Sequence, residues 1–202
     1  KYKFEFVFHL AAQAGVRYSI EHPREYIDNN FLGFFNIIEN SKKYKIKRLF
    51  YASSSSVYGE NKNFPLNEKE KITPKNIYGL SKKVNEEISF IFNKFYSLKL
   101  TGLRFFTVYG EWGRPDMMIV KFISSFFKKH TFNLYNYGNH TRDFTYVGDV
   151  VEILQRLLKN NKNLKDNDVL NICSNKPINL KKIISFLIKQ NIKPRIKKLS
   201  IQ

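Results

Sequence analysis

Arg48-Leu49-Phe50-Tyr51-Ala52-Ser53-Ser54-Ser55-Ser56-Val57-Tyr58-Gly59 is the stretch on which the fold turns. Its first five residues hold the β-rich run Leu49-Phe50-Tyr51 and read as a short buried strand. The four serines that follow mark the turn in which that strand ends. Upstream, Phe4 to Leu10 is a second apolar strand pattern, followed by a loop of small residues, Ala11 to Gly15. Past Pro23, the spacing of Tyr26, Asn30, Phe34, Ile37 and Ile38 predicts a helix. Downstream, residues 60–75 are polar, contain Pro65 and Pro74, and read as an exposed loop. A helix is expected from near Asn76 to about Leu98, then a strand from Leu100 to Phe106 and a loop from Val108 to Pro115. A helix from about Met117 to Lys129, a strand over Phe132 to Tyr137, a helix from near Asp149, a strand over Val169 to Ile172 and a helix after Asn179 complete the order. Strands alternating with helices imply an α/β fold: a parallel sheet with helices on both faces. Ligands of such sheets sit beyond the carboxyl ends of the strands, which directs attention to residues 11–17, 53–59 and 105–116.

The composition narrows the chemistry. The 202 residues suit one domain or one and a fraction; 43% apolar content supports a real core, and 26% charged with 16% aromatic residues excludes a disordered or collagenous chain. A lone Cys173 excludes an internal disulfide framework and a multi-cysteine zinc site, and no metal is expected. No apolar run approaches the ~20 residues of a membrane helix, and no charged n-region with an apolar h-region opens the chain. A soluble protein of a reducing compartment, the cytoplasm, is the expectation. The formal charge of +18 raises nucleic-acid binding, but the lysines are spread through the chain with many Asn, Ile, Phe and Tyr. That mixture reads as compositional drift; a small anionic ligand is expected, and neither nucleic acid nor membrane. The sequence opens at Lys1 and passes at once into a strand pattern, which suggests a missing upstream part.

Two features carry chemistry. Tyr78-Gly79-Leu80-Ser81-Lys82 places a phenol and an ammonium on one helical face, one turn apart. A neighbouring cation favours the phenolate and makes a proton-transfer group usable near neutral pH. The same pentapeptide also suits a plain solvated helix face. The serine run lies 24 residues before Tyr78 (78 − 54), where hydroxyls could hydrogen-bond a substrate oxygen; a Ser-rich turn is the alternative.

Six segments in order resemble the extended short-chain dehydrogenase/reductases, and within them the nucleotide-sugar epimerases. They are His9 to Ser19, Asn30-x-x-Gly33, Ser53 to Gly59, Tyr78 to Lys82, Leu103 to Gly110 and Arg142 to Val147. Trp112-Gly113-Arg114-Pro115-Asp116-Met117 and Gln13-Ala14-Gly15-Val16-Arg17 are similar to the UDP-glucuronate 4-epimerase group. The resemblance implies a partial Rossmann-like, doubly wound parallel sheet with part of a smaller C-terminal substrate-binding domain. Residues 1–106 and 147–172 would form the NAD-binding part, and 107–146 and 173–202 the nucleotide-sugar part. It implies C4 epimerisation of a UDP-hexuronic acid through a 4-keto intermediate. Tyr78 would be the base, Ser54 its partner on the substrate oxygen, and Lys82 the ammonium that favours the phenolate and binds the nicotinamide ribose. Ser54 and Ser55 remain interchangeable as the catalytic hydroxyl. Ala11, Ala12, Asn30, Tyr78, Lys82 and Phe106 would contact NAD. Arg17, Ser55, Ser56, Thr107, Arg114 and Arg142 would contact the UDP-sugar, a guanidinium being the natural bidentate partner of a uronate carboxylate.

Departures from neighbouring groups sharpen this. Ser55 and Ser56 stand where related 4,6-dehydratases carry an acidic pair and UDP-glucuronate decarboxylases a Glu; Thr107 stands where hexose epimerases usually have Asn. A UDP-hexose 4-epimerase, a UDP-glucuronate decarboxylase, an inactive fragment and a basic polyanion-binding module stay open as alternatives. The family's glycine-rich phosphate turn is not found in the sequence, so the 202 residues by themselves are expected neither to hold NAD well nor to turn over. A homodimer through the Tyr-bearing helix and its neighbour is what the family likeness implies for the intact protein; the amphipathic stretches 83–98 and 117–129 suit either such contacts or the core.

Overall fold

The computed structural model describes residues 3–61 and 63–200; the chain ends at Lys1 and Gln202 lie outside them. In chain order the elements are β1 (Phe6–His9), α1 (Tyr18–Glu21), α2 (Pro23–Tyr26), a π-helical segment (Ile27–Leu32), α3 (Gly33–Lys43), β2 (Arg48–Ser54), a 3-10 turn (Ser55–Tyr58), α4 (Ile77–Tyr96) and β3 (Leu100–Phe105). There follow β4 (Thr107–Tyr109), α5 (Met118–Phe127), β5 (Thr131–Tyr135), β6 (Thr141–Tyr146), α6 (Val147–Lys159), β7 (Asn167–Ile172), β8 (Pro177–Asn179), α7 (Leu180–Lys189) and β9 (Arg195–Leu199). The chain divides into two units, Lys1–Phe106 with Glu152–Ile172, and Thr107–Val151 with Cys173–Gln202. The crossing in α6 falls at Val151/Glu152, against 146/147 in the sequence reading.

The first unit is the α/β body. Its sheet has the order β1-β2-β3-β7 with every pair parallel. Parallel strands buried on both faces need continuous apolar sequence, and β2 has it, with Leu49, Phe50 and Tyr51 all buried. Leu49 and Tyr51 pack with Phe34 and Ile38 of α3, Phe92 of α4, Leu98 and Leu100 in one core. Burial of such side chains contributes roughly 1.5–3 kcal/mol each. Helix α4 begins where the sequence signals it: Asn76 is extended and its side chain accepts from the Gly79 N–H at 2.8 Å. It ends at Ser97, which takes a left-handed conformation.

The second unit holds a small mixed sheet, β4-β6-β8, with β4 and β6 parallel and β6 and β8 antiparallel. A separate parallel pair joins β5 and β9. Phe122, Phe132, Leu134, Leu180 and Ile184 form its core, between α5, β5 and α7. Strands β4, β6, β8 and β9 were absent from the sequence reading, and β4 lies where a loop was expected. Three-residue strands and strands such as Arg-Ile-Lys-Lys-Leu carry too little apolar signal to announce themselves. Among the described residues no helix is long and apolar enough to cross a membrane.

Candidate active site

The site is built on the first three turns of α4. Tyr78, Lys82 and Glu86 recur at four-residue intervals and share one helical face. Gly79 brings the helix start close to the serine turn. A Cβ there would lie 2.7 Å from the Ser56 carbonyl oxygen and 3.1 Å from Pro74 Cβ, so only glycine permits the approach. The Tyr78 ring meets the Tyr26 ring edge-on at 6.1 Å. Tyr26 in turn donates its hydroxyl to the carbonyls of Ala14 and Gly15, at 3.1 and 2.6 Å. The loop after β1, the serine turn after β2 and the start of α4 thus meet around Tyr78.

Lys82 is 3% exposed. Burial lowers its pKa to about 8, and no hydrogen bond or ion pair meets its ammonium among the described residues. His9, at the carboxyl end of β1, is held below its ordinary value, first by burial and second by the charge of Lys82. Ser54 closes β2, is buried, and accepts from the Ser56 N–H at 3.2 Å. That bond uses the oxygen as acceptor and leaves the hydroxyl proton to donate elsewhere. Ser55 and Ser56 are half-buried in the 3-10 turn.

Asn30 is buried in the π-helical segment, and both ends of its amide are engaged. Its Oδ1 accepts from Gln13 N–H at 2.8 Å, while Nδ2 donates to Gln13 C=O at 2.9 Å and to Ser81 Oγ at 3.0 Å. Ser81 Oγ donates to the Tyr78 carbonyl at 2.8 Å. Asn30 therefore ties the loop after β1 to the helix that bears Tyr78. Ala11 is exposed and Ala12 half-buried in that loop; Arg17 is exposed in the turn before α1. Phe106, half-buried, donates its N–H to Ile172 C=O at 3.2 Å, and its ring lies 6.5 Å from that of Tyr58.

The remaining predicted residues belong to the second unit. Thr107 opens β4 and pairs in register with Phe144. Arg114 holds Asp116 through two parallel bonds, Nε to Oδ1 at 2.8 Å and Nη2 to Oδ2 at 2.7 Å. Hydrogen bonding from Arg114 is the main reason the Asp116 carboxyl titrates below its ordinary value. Arg142 is exposed on β6 and donates Nη1 to the Thr141 carbonyl at 2.9 Å. Beside it, Asp143 Oδ1 accepts from the Ser174 N–H and hydroxyl, both at 2.9 Å, and from the Thr145 hydroxyl at 3.0 Å; Oδ2 accepts from the Lys176 N–H at 3.0 Å.

Residues 1–173 match the model of the NAD dependent epimerase/dehydratase family. The chain belongs to that family. It is 53% identical over 156 residues to Protein CapI of Staphylococcus aureus, covering 77% of this chain and 47% of that protein. It is 47% identical over 154 residues to UDP-glucuronate 4-epimerase 4 of Arabidopsis thaliana, covering 74% of this chain and 35% of the relative. Among solved structures, UDP-glucuronic acid 4-epimerase from Bacillus cereus, in complex with UDP-glucuronic acid and NAD, superposes with a TM-score of 0.89 at 31% identity. That match covers 98% of this chain and 63% of the other. The chain thus spans less than half of these two curated relatives.

Three residues of this epimerase/dehydratase chain escaped the sequence reading. Glu86, Arg104 and Ser53 form a buried polar cluster behind Tyr78 and Lys82. The signal for Glu86 was present, since it continues the four-residue rhythm of Tyr78 and Lys82. Arg104 within the strand pattern Leu100–Phe106 was the other clue.

Proposed function

We propose that the protein interconverts UDP-glucuronate and UDP-galacturonate at C4 with NAD as its cofactor, in the cytoplasm. One observation carries the reading: the start of α4, which bears Tyr78, lies against the serine turn, with the Lys82 ammonium, buried and unpartnered among the described residues, one helical turn on. A buried cation without an acceptor is costly, and a ribose diol supplies acceptors of the right kind, so Lys82 fits a bound NAD. Ala11, Ala12 and Phe106 lie on the two loops that would border it, while Asn30 supports the first of these from behind. NAD, when bound, supplies the hydride acceptor and donor. Tyr78, as phenolate, takes the proton of the sugar 4-hydroxyl, and the Ser54 hydroxyl hydrogen-bonds the same oxygen. Lys82 favours the phenolate through its charge. Ser55, Ser56, Thr107 and Arg17 are assigned to the sugar, Arg142 to the diphosphate and Arg114 to the uronate carboxylate, for which its planar fork is suited. The likeness to UDP-glucuronate 4-epimerases supports the uronate.

A second reading, a neutral UDP-hexose as substrate, draws on Arg114 itself, whose fork already holds Asp116. Incubation of the full-length protein with NAD and either UDP-glucuronate or UDP-glucose, followed by product analysis, separates the two. UDP-galacturonate from the first and nothing from the second supports the uronate; the reverse overturns it. Tyr78→Phe should lower turnover about 10²–10⁴-fold. We further propose a homodimer through α4, on which Leu80, Ile91 and Phe95 are exposed; light scattering of the full-length protein tests it, and a monomer at micromolar concentration rejects it.

A further inference from the structure

We propose that Glu86, Arg104 and Ser53 form a positioning unit that holds the Tyr78–Lys82 face of α4 in place against the end of β2; this inference rests on the site reading given above. Glu86 lies two turns beyond Tyr78 and one beyond Lys82, about 12 and about 6 Å along the helix axis. Its carboxylate meets the Arg104 guanidinium through two bonds, Nε to Oε1 at 2.9 Å and Nη2 to Oε2 at 2.7 Å. The Ser53 hydroxyl donates to Oε1 at 2.5 Å. Arg104 Nη1 donates to the Tyr58 hydroxyl at 2.8 Å, and that hydroxyl donates to Asn171 Oδ1 at 2.7 Å. One carboxylate and one guanidinium therefore fasten α4 to β2, β3, the 3-10 turn and β7.

The placement is what makes the cluster more than a brace. Ser53 adjoins Ser54, and strand alternation sends their side chains to opposite sides. Anchoring Ser53 to α4 fixes the pleat at the last residues of β2, and so fixes where Ser54 emerges. The other end of that anchor is Glu86, on the helical face that carries Tyr78 and Lys82. A buried ion pair contributes little net stability relative to an apolar replacement, whereas a proton shared between a phenol, a hydroxyl and a sugar oxygen depends on separations held to a fraction of an ångström. A fork with all three nitrogens engaged, Arg104 donating from Nε, Nη1 and Nη2, suits that second demand.

The test uses the full-length protein with NAD and UDP-glucuronate. Ser53→Ala removes one link and leaves the ion pair; Glu86→Gln removes the charge. We expect kcat per folded molecule to fall three- to tenfold in Ser53→Ala and more than tenfold in Glu86→Gln, with KM within threefold of the parent. The limb of the kcat–pH profile that reports the phenol should move by at least half a pH unit. A lowered melting midpoint with unchanged kcat and pH profile in Ser53→Ala overturns the inference, and Ser53→Ala decides alone if Glu86→Gln does not fold. Tyr78→Phe is assayed alongside. Retained turnover there rejects the site reading and the inference with it; a dead Tyr78→Phe with a wild-type Ser53→Ala rejects the positioning role only.

Discussion

The candidate site residues of the two units are held in opposite ways. In the first, Lys82, Glu86, Arg104, Asn30, Ser53 and Ser54 are buried, and all but Lys82 are engaged by hydrogen bonds within the unit. In the second, Arg114 and Arg142 are exposed, and their hydrogen bonds given above run to near neighbours in the chain, Asp116 and Thr141. Proton transfer, the role proposed for the first set, needs atoms fixed in place before the substrate arrives, which suits residues over-determined by packing and hydrogen bonds. Recognition of charge tolerates looser placement, because attraction falls off gradually with distance. The burial of Lys82 is the costliest feature on the first side of this contrast, and it is where a substitution should have the largest effect.

Lys82 has a folded pKa of about 8 against 10.5 in an unfolded chain. Below pH 8 both states carry the proton, and the fold bears the full desolvation of a buried ammonium. Between 8 and 10.5 the unfolded chain holds more protons, so stability rises with pH through that window. Above 10.5 the difference is gone. The shift corresponds to about 3 kcal/mol at neutral pH. Lys82→Met should therefore stabilise the protein by about 3 kcal/mol at pH 7 and by nearly nothing above pH 10.5, while abolishing turnover. Urea denaturation from pH 7 to 10.5 measures the gap between parent and variant; a gap independent of pH would deny that the ammonium is the source.

Gly79→Ala probes the close approach on the same side of the contrast. The added Cβ meets the Ser56 carbonyl oxygen at 2.7 Å, so the first turn of α4 has to move away from the serine turn. A displacement near 1 Å costs about 10²-fold in rate. We expect kcat to fall by about that factor while the affinity for UDP, a ligand assigned to Arg142 of the second unit, stays within threefold. Steady-state kinetics with calorimetric UDP titration checks both, and an equal loss in each would erase the distinction between the units.

Much of the first unit was legible because its signals are strong ones. The run Leu49-Phe50-Tyr51 announced β2, Asn76 and the Tyr78/Lys82 spacing announced α4, and the serine turn marked a strand end. What stayed hidden was tertiary: nothing local shows that Ser53 and Glu86, 33 positions apart, share a hydrogen bond, or that Asn30 turns its amide inward to Gln13 and Ser81. The second unit was less legible for a different reason. Strands β4 and β8 are three residues long, and the polar β9 gains its identity only by pairing with β5. Arg114 was readable as a carboxylate partner, but not that Asp116, two residues on, already occupies the fork.

That occupancy yields the smallest expected effect. Arg114 and Asp116 are about half exposed, 46% and 51% by side chain, and exposed pairs are typically worth ~0–1 kcal/mol. An incoming uronate carboxylate has to share or displace Asp116, so Asp116→Asn should tighten UDP-glucuronate binding by about two- to fivefold at low salt. The gain should shrink as ionic strength rises, since the charges lie in reach of solvent ions. UDP-glucose, which brings no carboxylate, should bind the variant and the parent alike. Calorimetric titration of both nucleotides at two salt concentrations reads the difference. If Asp116→Asn leaves UDP-glucuronate affinity unchanged at low salt, Arg114 does not meet the uronate, and the neutral hexose becomes the better-supported substrate.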